Sequence, residues 1–167
     1  MTVLIIGYPE SGKSGLAENM VMEMASPGER VYLATMIPCG DEGAARVERH
    51  RKMREGKGFE TIEAPFDIAS AVEKNGDCMD RTVLLECLSN LVANELFERH
   101  ESADAAADKI CSDIARLKGL VRGLVIVSNH YEIKEDFDEE TMMYARILDA
   151  VNDRIGAIAD KVIRIEP

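Results

Sequence analysis

Short apolar runs alternate with longer mixed segments along the whole chain. Apolar, β-branched runs predict strands at residues 3–6, 31–35, 59–63, 83–87, 124–128 and 162–165. Helical patterns lie at residues 13–25, 41–54, 68–74, 88–100, 103–121 and 138–159. The runs are almost continuously apolar, which suits a mostly parallel sheet with helices on both faces. The alternation therefore predicts a doubly wound α/β fold whose ligands bind at the carboxyl ends of the strands.

Length and charge narrow the class of protein. The 167 residues predict a single domain over residues 1–167. A net charge of -11 argues against nucleic acid or an anionic membrane as the main partner, because both need a broad cationic face. No apolar run is long enough to span a bilayer, and residues 2–6 are too short for a signal peptide. We therefore expect a cytoplasmic protein that acts on small molecules.

The four cysteines are scattered without C-x-x-C spacing, so the sequence suggests neither a zinc site nor a disulfide framework. Buried free thiols are the expected state. An acidic stretch at residues 136–140 has the look of a metal cluster. We interpret it instead as a helix capping box, with acids favoured by the helix dipole.

Residues 7–14 form a complete G-x-x-x-x-G-K-[ST] motif directly after the first predicted strand. Its glycines let successive N–H groups face a phosphate, and the positive end of the next helix points the same way. Lys13 would reach the β- and γ-phosphates, and the Ser14 hydroxyl would bind Mg²⁺. The motif predicts a P-loop nucleotide-binding fold. The residues expected to hold the triphosphate are Gly7, Tyr8, Pro9, Glu10, Ser11, Gly12, Lys13 and Ser14.

Glu86 stands at the end of the predicted strand 83–87. P-loop enzymes keep at such a place the acid that binds Mg²⁺ or activates a hydroxyl. We therefore interpret Glu86 as a metal-binding and catalytic acid. An ordinary strand end is the alternative, because an apolar run followed by an acid is common.

The predicted helix 41–54 is strongly basic in an otherwise acidic chain. Six cations lie within twelve residues around one histidine: Arg46, Arg49, Arg51, Lys52, Arg54 and Lys57. Arg46, His50 and Arg54 are spaced i, i+4, i+8 and share a helix face. Such a face, with Arg49, can hold a polyphosphate while the imidazole attacks an α-phosphorus. A solvated basic helix face is the other reading. A second histidine, His130, follows the fifth strand and could approach the nucleotide.

Several of these stretches together resemble the bifunctional adenosylcobinamide kinase/adenosylcobinamide-phosphate guanylyltransferase family. They are the P-loop, Tyr32-Leu33-Ala34-Thr35, Asp41-Glu42 with Ala44-Ala45-Arg46-Val47 and His50, and Leu84-Leu85-Glu86-Cys87. Residues 94–97, 128–129 and 146–160 also match where that family has like residues, so the resemblance covers most of the chain. The P-loop alone is generic, and the histidine segment is the discriminating one.

The resemblance implies an enzyme of cobalamin biosynthesis with two reactions. In the first, ATP or GTP donates its γ-phosphate to the aminopropanol hydroxyl of adenosylcobinamide. In the second, GTP guanylylates His50, which passes GMP to adenosylcobinamide phosphate. The resemblance places Lys13 and Glu86 beside His50 as catalytic residues and Thr35 in the nucleotide site. The resemblance also implies that Ser14 and Glu86 hold Mg²⁺ and that the protein assembles as a homotrimer.

The chain departs from the family pattern at several positions, which predicts a diverged member. Tyr8-Pro9-Glu10 stands where small residues and an arginine are usual, and Arg49 stands where a second histidine is frequent. Residues 130–136 replace an acid followed by a glycine-rich segment. Two alternatives remain open from the sequence. One is a small-molecule kinase in which His50 only contacts phosphate, and the other is a nucleotide-binding protein without turnover.

Overall fold

The computed structural model describes residues 1–167. Its strands are β1 (Thr2–Gly7), β2 (Arg30–Ala34), β3 (Phe59–Glu63), β4 (Thr82–Glu86), β5 (Gly123–Asn129) and β6 (Lys161–Ile165). They form one sheet in the order β3-β2-β4-β5-β1-β6, and every neighbouring pair is parallel. The sequence prediction of an α/β fold with a parallel sheet is confirmed.

The helices follow the predicted alternation. They are α1 (Lys13–Met24), α2 (Gly40–Arg54), α3 (Ile68–Glu73), α4 (Leu88–Ala93), α5 (Ala103–Leu120) and α6 (Glu139–Ile158). The predicted helix 88–100 is wrong in one respect, because α4 passes into a short π-helix, Asn94–Glu98. That stretch ends before His100, whose left-handed φ of 56° stops a right-handed helix.

Two apolar clusters hold the layers together. The larger lies between the sheet and helices α3 to α6, and includes Leu85, Ile114 and Leu148. The smaller packs α1 against the opposite face through residues such as Ala17 and Val21. Helices therefore cover both faces, as predicted. Helix α2 differs from the other helices in what it buries. Its buried residues are Gly43 and Arg54, so it contributes no buried apolar side chain.

The internal strands are buried along nearly their whole length, whereas the edge strands are not. Only Ile62 is buried in β3, and β6 is intermediate or exposed throughout. The expectation that all strands are covered on both faces is therefore wrong for the two edges. An edge strand borders solvent on one side, so polar side chains are tolerated there.

The smaller predictions have mixed outcomes. All four cysteines are free, with Cys78 and Cys111 buried but Cys39 exposed, so the expectation of buried thiols is only partly correct. The predicted capping box is confirmed for its N-cap half, because Asp138 Oδ1 accepts a hydrogen bond of 2.7 Å from the Thr141 backbone N–H. None of the helices combines the length and apolar character needed to cross a bilayer.

Candidate active site

The P-loop leaves β1 at Gly7 and tightens into α1. Ser11 N–H donates to the Tyr8 carbonyl at 3.2 Å. A side chain at Gly7 would bring its Cβ within 2.6 Å of Ser11 Oγ, so any other residue there would force the Ser11 side chain to move. Gly12 has φ 83°, which glycine adopts without strain, but Glu10 has φ 63° and carries a side chain. The loop therefore turns tightly at Gly7 and Gly12, and its backbone is strained at Glu10.

Lys13 is the cation of this loop, and it is 7% exposed. Its Nζ donates to the Tyr8 carbonyl at 3.0 Å. Burial lowers the pKa of Lys13, the negative charge of Glu86 opposes that effect, and Arg46 adds to it. An ammonium group held in a nearly buried cup beside backbone N–H groups is a strong site for an anion.

Glu86 meets the loop from the end of β4. Ser14 Oγ donates to Glu86 Oε1 at 2.5 Å, while Glu86 Oε2 is buried without a partner, as is Ser11 Oγ. Burial raises the pKa of Glu86, although the Ser14 hydrogen bond and Lys13 act in the other direction. An unpaired buried carboxylate oxygen beside a hydroxyl is a donor set that suits Mg²⁺.

No group of three or more His, Cys, Asp or Glu side chains could enclose a metal ion by itself. A cation at Ser14 and Glu86 would therefore take its remaining ligands from phosphate oxygens and water. That division of ligands is typical of Mg²⁺ in nucleotide enzymes. The residues present fit the predicted ion.

The basic helix α2 is fixed to the sheet by its last residue. The Arg54 guanidinium lies 3.4 Å from the centroid of the Tyr32 ring and donates to Thr61 Oγ1 at 3.3 Å. It also donates to the His50 carbonyl at 3.0 Å. Burial raises the pKa of the Tyr32 hydroxyl. Arg54 thus lies buried between α2 and the middle of β2 and β3. Its predicted contact with phosphate stays a prediction.

His50 is half-buried on the inner side of α2. Burial lowers the pKa of His50, and the positive charges of Arg46 and Arg54 lower it further, while Glu18 opposes them. These effects favour the neutral imidazole, which is the form that acts as a nucleophile.

Arg46 acts electrostatically on both the basic helix and the P-loop. Its positive charge lowers the pKa of His50 and, as the smallest of several causes, the pKa of Lys13. A neighbouring cation disfavours the protonated form of either group. Arg46 and Arg49 themselves are exposed.

Glu18 is a buried acid that the sequence interpretation missed. It lies on α1, is 4% exposed, and its Oε2 is 2.7 Å from Lys57 Nζ. Lys57 follows α2, so this ion pair ties the end of the basic helix to the P-loop helix. The sequence spacing could have predicted that Glu18 is buried, because it lies one helical turn after Ser14, on the face that Val21 shares.

Thr35 was predicted to contact nucleotide. It is fully buried, and its hydroxyl accepts from the Cys87 N–H at 2.7 Å and donates to the Cys87 carbonyl at 2.8 Å. Thr35 thus joins the ends of β2 and β4. Its contact with nucleotide stays a prediction.

A cavity of about 590 Å³ opens on the other side of the P-loop, where β1, β5 and β6 end. The loop contributes Tyr8 and Pro9 to its wall, and the segment after β5 contributes His130 and Phe137. His130 N–H donates to the Gly7 carbonyl at 3.1 Å, so this wall is attached to the loop. His130 was predicted to approach the nucleotide, and that contact stays a prediction.

A protein-family model described as cobinamide kinase / cobinamide phosphate guanyltransferase matches residues 3–166. The bifunctional adenosylcobalamin biosynthesis protein CobU of Salmonella typhimurium (strain LT2) is 28% identical over 174 residues, which cover 97% of this chain and 93% of that protein. The protein of the same name from Escherichia coli (strain K12) is 33% identical over 98 residues. That match covers 59% of this chain and about half, 51%, of the relative.

Among solved structures, the flagellar accessory protein FlaH from Methanocaldococcus jannaschii is similar with a TM-score of 0.46 and 14% identity. The similarity covers 98% of this chain and 70% of that protein.

Proposed function

The chain belongs to the cobinamide kinase / cobinamide phosphate guanyltransferase family, and from that premise we propose that it catalyses both reactions of a bifunctional enzyme. It is a nucleotide-binding transferase of cobalamin biosynthesis. The first reaction phosphorylates adenosylcobinamide, with GTP or ATP as the donor. The second transfers GMP from GTP to adenosylcobinamide phosphate, and His50 carries the GMP between the two substrates.

The observation that supports this proposal most directly is the Lys57–Glu18 ion pair of 2.7 Å, which ties the end of the basic helix α2 to the P-loop helix α1. Helix α2 carries His50 together with Arg46 and Arg49, so this ion pair attaches a basic, histidine-bearing helix to the phosphate site. The positive charge of Arg46 lowers the pKa of both Lys13 and His50. This charge would stabilise the oxygens of a phosphorus centre under attack.

In the phosphorylation step, the P-loop amides and Lys13 hold the phosphates of the donor. Glu86 takes the proton from the attacking hydroxyl of adenosylcobinamide, and its raised pKa suits that role. The hydroxyl oxygen bonds to the γ-phosphorus, the bond between that phosphorus and its bridging oxygen breaks, and the nucleoside diphosphate leaves. Ser14 and Glu86 would hold a Mg²⁺ ion, which neutralises charge on the phosphate oxygens when bound.

In the guanylyl transfer, a ring nitrogen of neutral His50 attacks the α-phosphorus of GTP. A phosphorus–nitrogen bond forms, the bond to the bridging oxygen breaks, and pyrophosphate leaves. A phosphate oxygen of adenosylcobinamide phosphate then attacks the same phosphorus. The phosphorus–nitrogen bond breaks, adenosylcobinamide-GDP is formed, and His50 is regenerated.

The test is incubation with Mg²⁺ and GTP labelled at the α- or the γ-phosphate. We expect an acid-labile, alkali-stable protein adduct from the α-label only. It should be absent from His50→Ala and Lys13→Ala, and present in His100→Ala, which removes an exposed histidine elsewhere.

A folded wild type that binds GTP but takes up no α-label would remove the guanylyl step and leave a simple kinase. Transfer of the γ-label to adenosylcobinamide tests the kinase step separately. The homotrimer and the cytoplasmic location stay predictions, and sedimentation velocity would test the first.

A further inference from the structure

The side chain of Glu86 has few polar contacts of its own. Ser14 Oγ donates to Glu86 Oε1 at 2.5 Å, and Glu86 Oε2 is buried without a partner. A single hydrogen bond does not fix a planar carboxylate in three dimensions. The direction in which this carboxylate points therefore depends on the backbone at the end of β4, from which the side chain leaves.

Thr35 binds that backbone through three hydrogen bonds. Its N–H donates to the Glu86 carbonyl at 3.1 Å. Its hydroxyl accepts from the Cys87 N–H at 2.7 Å and donates to the Cys87 carbonyl at 2.8 Å. Thr35 is fully buried, so water does not compete for these groups. One residue at the end of β2 thus holds both peptide groups that follow the Glu86 side chain.

Asn94 holds Thr35 in turn. Its Nδ2 group donates to the Thr35 carbonyl at 2.8 Å and to the Pro65 carbonyl at 2.9 Å. Asn94 is 7% exposed and begins the π-helix Asn94–Glu98. Short π-helical turns are uncommon and are frequent at functional sites. The amide of Asn94 therefore joins the segments that follow β2 and β3 to the helix that follows β4.

We propose that Thr35 and Asn94 are positioning residues for phosphoryl transfer. This inference rests on the proposed function, because it takes Glu86 as the group that accepts the proton. The two residues hold the end of β4 so that the carboxylate faces Ser14 and the phosphate loop. A base must lie within hydrogen-bond reach of the proton that it takes, and a misplacement of about 1 Å can lower the rate roughly 100-fold. Neither residue needs to touch the nucleotide for this role.

The test measures transfer of the γ-label from GTP to adenosylcobinamide by the full chain with Mg²⁺. Thr35→Val removes the hydroxyl with little change of shape. We expect kcat to fall about 10- to 100-fold while the KM for GTP stays unchanged, because the P-loop still holds the phosphates. Thr35→Ser keeps the hydroxyl and should retain the wild-type kcat. The matched control is Thr82→Val, which changes a buried threonine at the other end of β4 and should leave kcat unchanged.

A double-mutant cycle separates positioning from a role in stability alone. In a Glu86→Gln background, Thr35→Val should cause no further loss of kcat, because the group that it positions is already gone. Losses that multiply in the double variant would overturn the proposal. A wild-type kcat in folded Thr35→Val would overturn it as well.

Asn94→Ala tests the same role one contact further from Glu86, and it decides the question if Thr35→Val does not fold. We expect kcat to fall about tenfold, and this fall should also vanish in the Glu86→Gln background. An unchanged kcat in Asn94→Ala would remove Asn94 from the proposal. If the folded wild type binds GTP but transfers no γ-label, the kinase step of the proposed function fails and this inference fails with it. An active wild type whose Thr35 and Asn94 variants are equally active overturns this inference alone.

Discussion

Ser14 on α1 donates a 2.5 Å hydrogen bond to Glu86 at the end of β4. The bond joins the last residue of the P-loop motif to a strand-end acid that lies far along the chain. The other oxygen of Glu86 is buried and has no partner. Burying this carboxylate therefore lowers the stability of the folded protein, and we attribute its presence to its function.

Replacing Glu86 with Gln should lower phosphoryl transfer by at least about 100-fold, because the amide cannot take a proton from the attacking hydroxyl.

The same substitution should increase the free energy of unfolding. Burial holds the folded pKa of Glu86 above its unfolded value. The group therefore favours folding at acidic pH, and this contribution is lost as pH rises through the raised pKa.

Because Gln carries no charge, the unfolding free energy of Glu86→Gln should increase relative to wild type as pH rises. Urea unfolding at several pH values measures the difference. Glu63→Gln is the control, since it removes an exposed acid at the end of β3, which β2 separates from β4. A pH-independent difference for Glu86→Gln would contradict the raised pKa.

Replacing Arg46 with Gln should raise the pKa of His50. A nearby cation disfavours the protonated imidazole, so its removal makes protonation easier. NMR titration of the ring measures the pKa, and His50→Ala assigns the signal among three histidines. Labelling of the protein by α-labelled GTP falls at acidic pH as His50 is protonated, and this fall should occur at a higher pH in the variant. Lys52→Gln, an exposed cation on the same helix, should leave the pKa unchanged; an equal shift in both variants would refute a specific role of Arg46.

Replacing Lys57 with Met should destabilise the fold by roughly 1–3 kcal/mol, because it leaves the buried Glu18 carboxylate without its partner. Glu18→Gln should cost less, since no buried charge remains. In the double variant, much of the loss from Lys57→Met should be recovered. Denaturant unfolding of all four proteins gives the coupling energy, and the exposed pair Arg51–Glu63 should show less than about 1 kcal/mol. Additive losses would mean that the ion pair contributes nothing.

Replacing Glu10 with Gly should stabilise the protein by about 1 kcal/mol, because its φ of 63° suits glycine. It should also increase the affinity for Mg²⁺-GTP, since a carboxylate leaves the phosphate loop. His100→Gly is a matched control, with φ 56° at a position outside the loop. Both variants should gain stability in urea unfolding, and only Glu10→Gly should bind GTP more tightly. Unchanged affinity in Glu10→Gly would mean that this acid does not act on the phosphates.

Features confined to a short stretch were predictable from the sequence. The strand bounds, the start of α1 and the cap at Asp138 all depend on neighbouring residues, and the structure agrees with the predicted positions to within about two residues. The roles of individual basic residues were less predictable. Arg54 shares a predicted helix face with His50, yet its guanidinium stacks on Tyr32. Helical spacing predicts which residues share a face of the helix, but it does not predict which residues of other elements they contact.

The sequence by itself determined the parallel α/β order and the phosphate loop, because backbone periodicity and glycine conformation are local properties. It also indicated His50 as a candidate site residue, because basic residues lie on successive turns of the same predicted helix. The tertiary structure decided that Ser14 pairs with Glu86, that Lys57 pairs with Glu18, and that a cavity adjoins Tyr8. Such contacts depend on how the elements pack and on the burial of each charge, which no local pattern specifies.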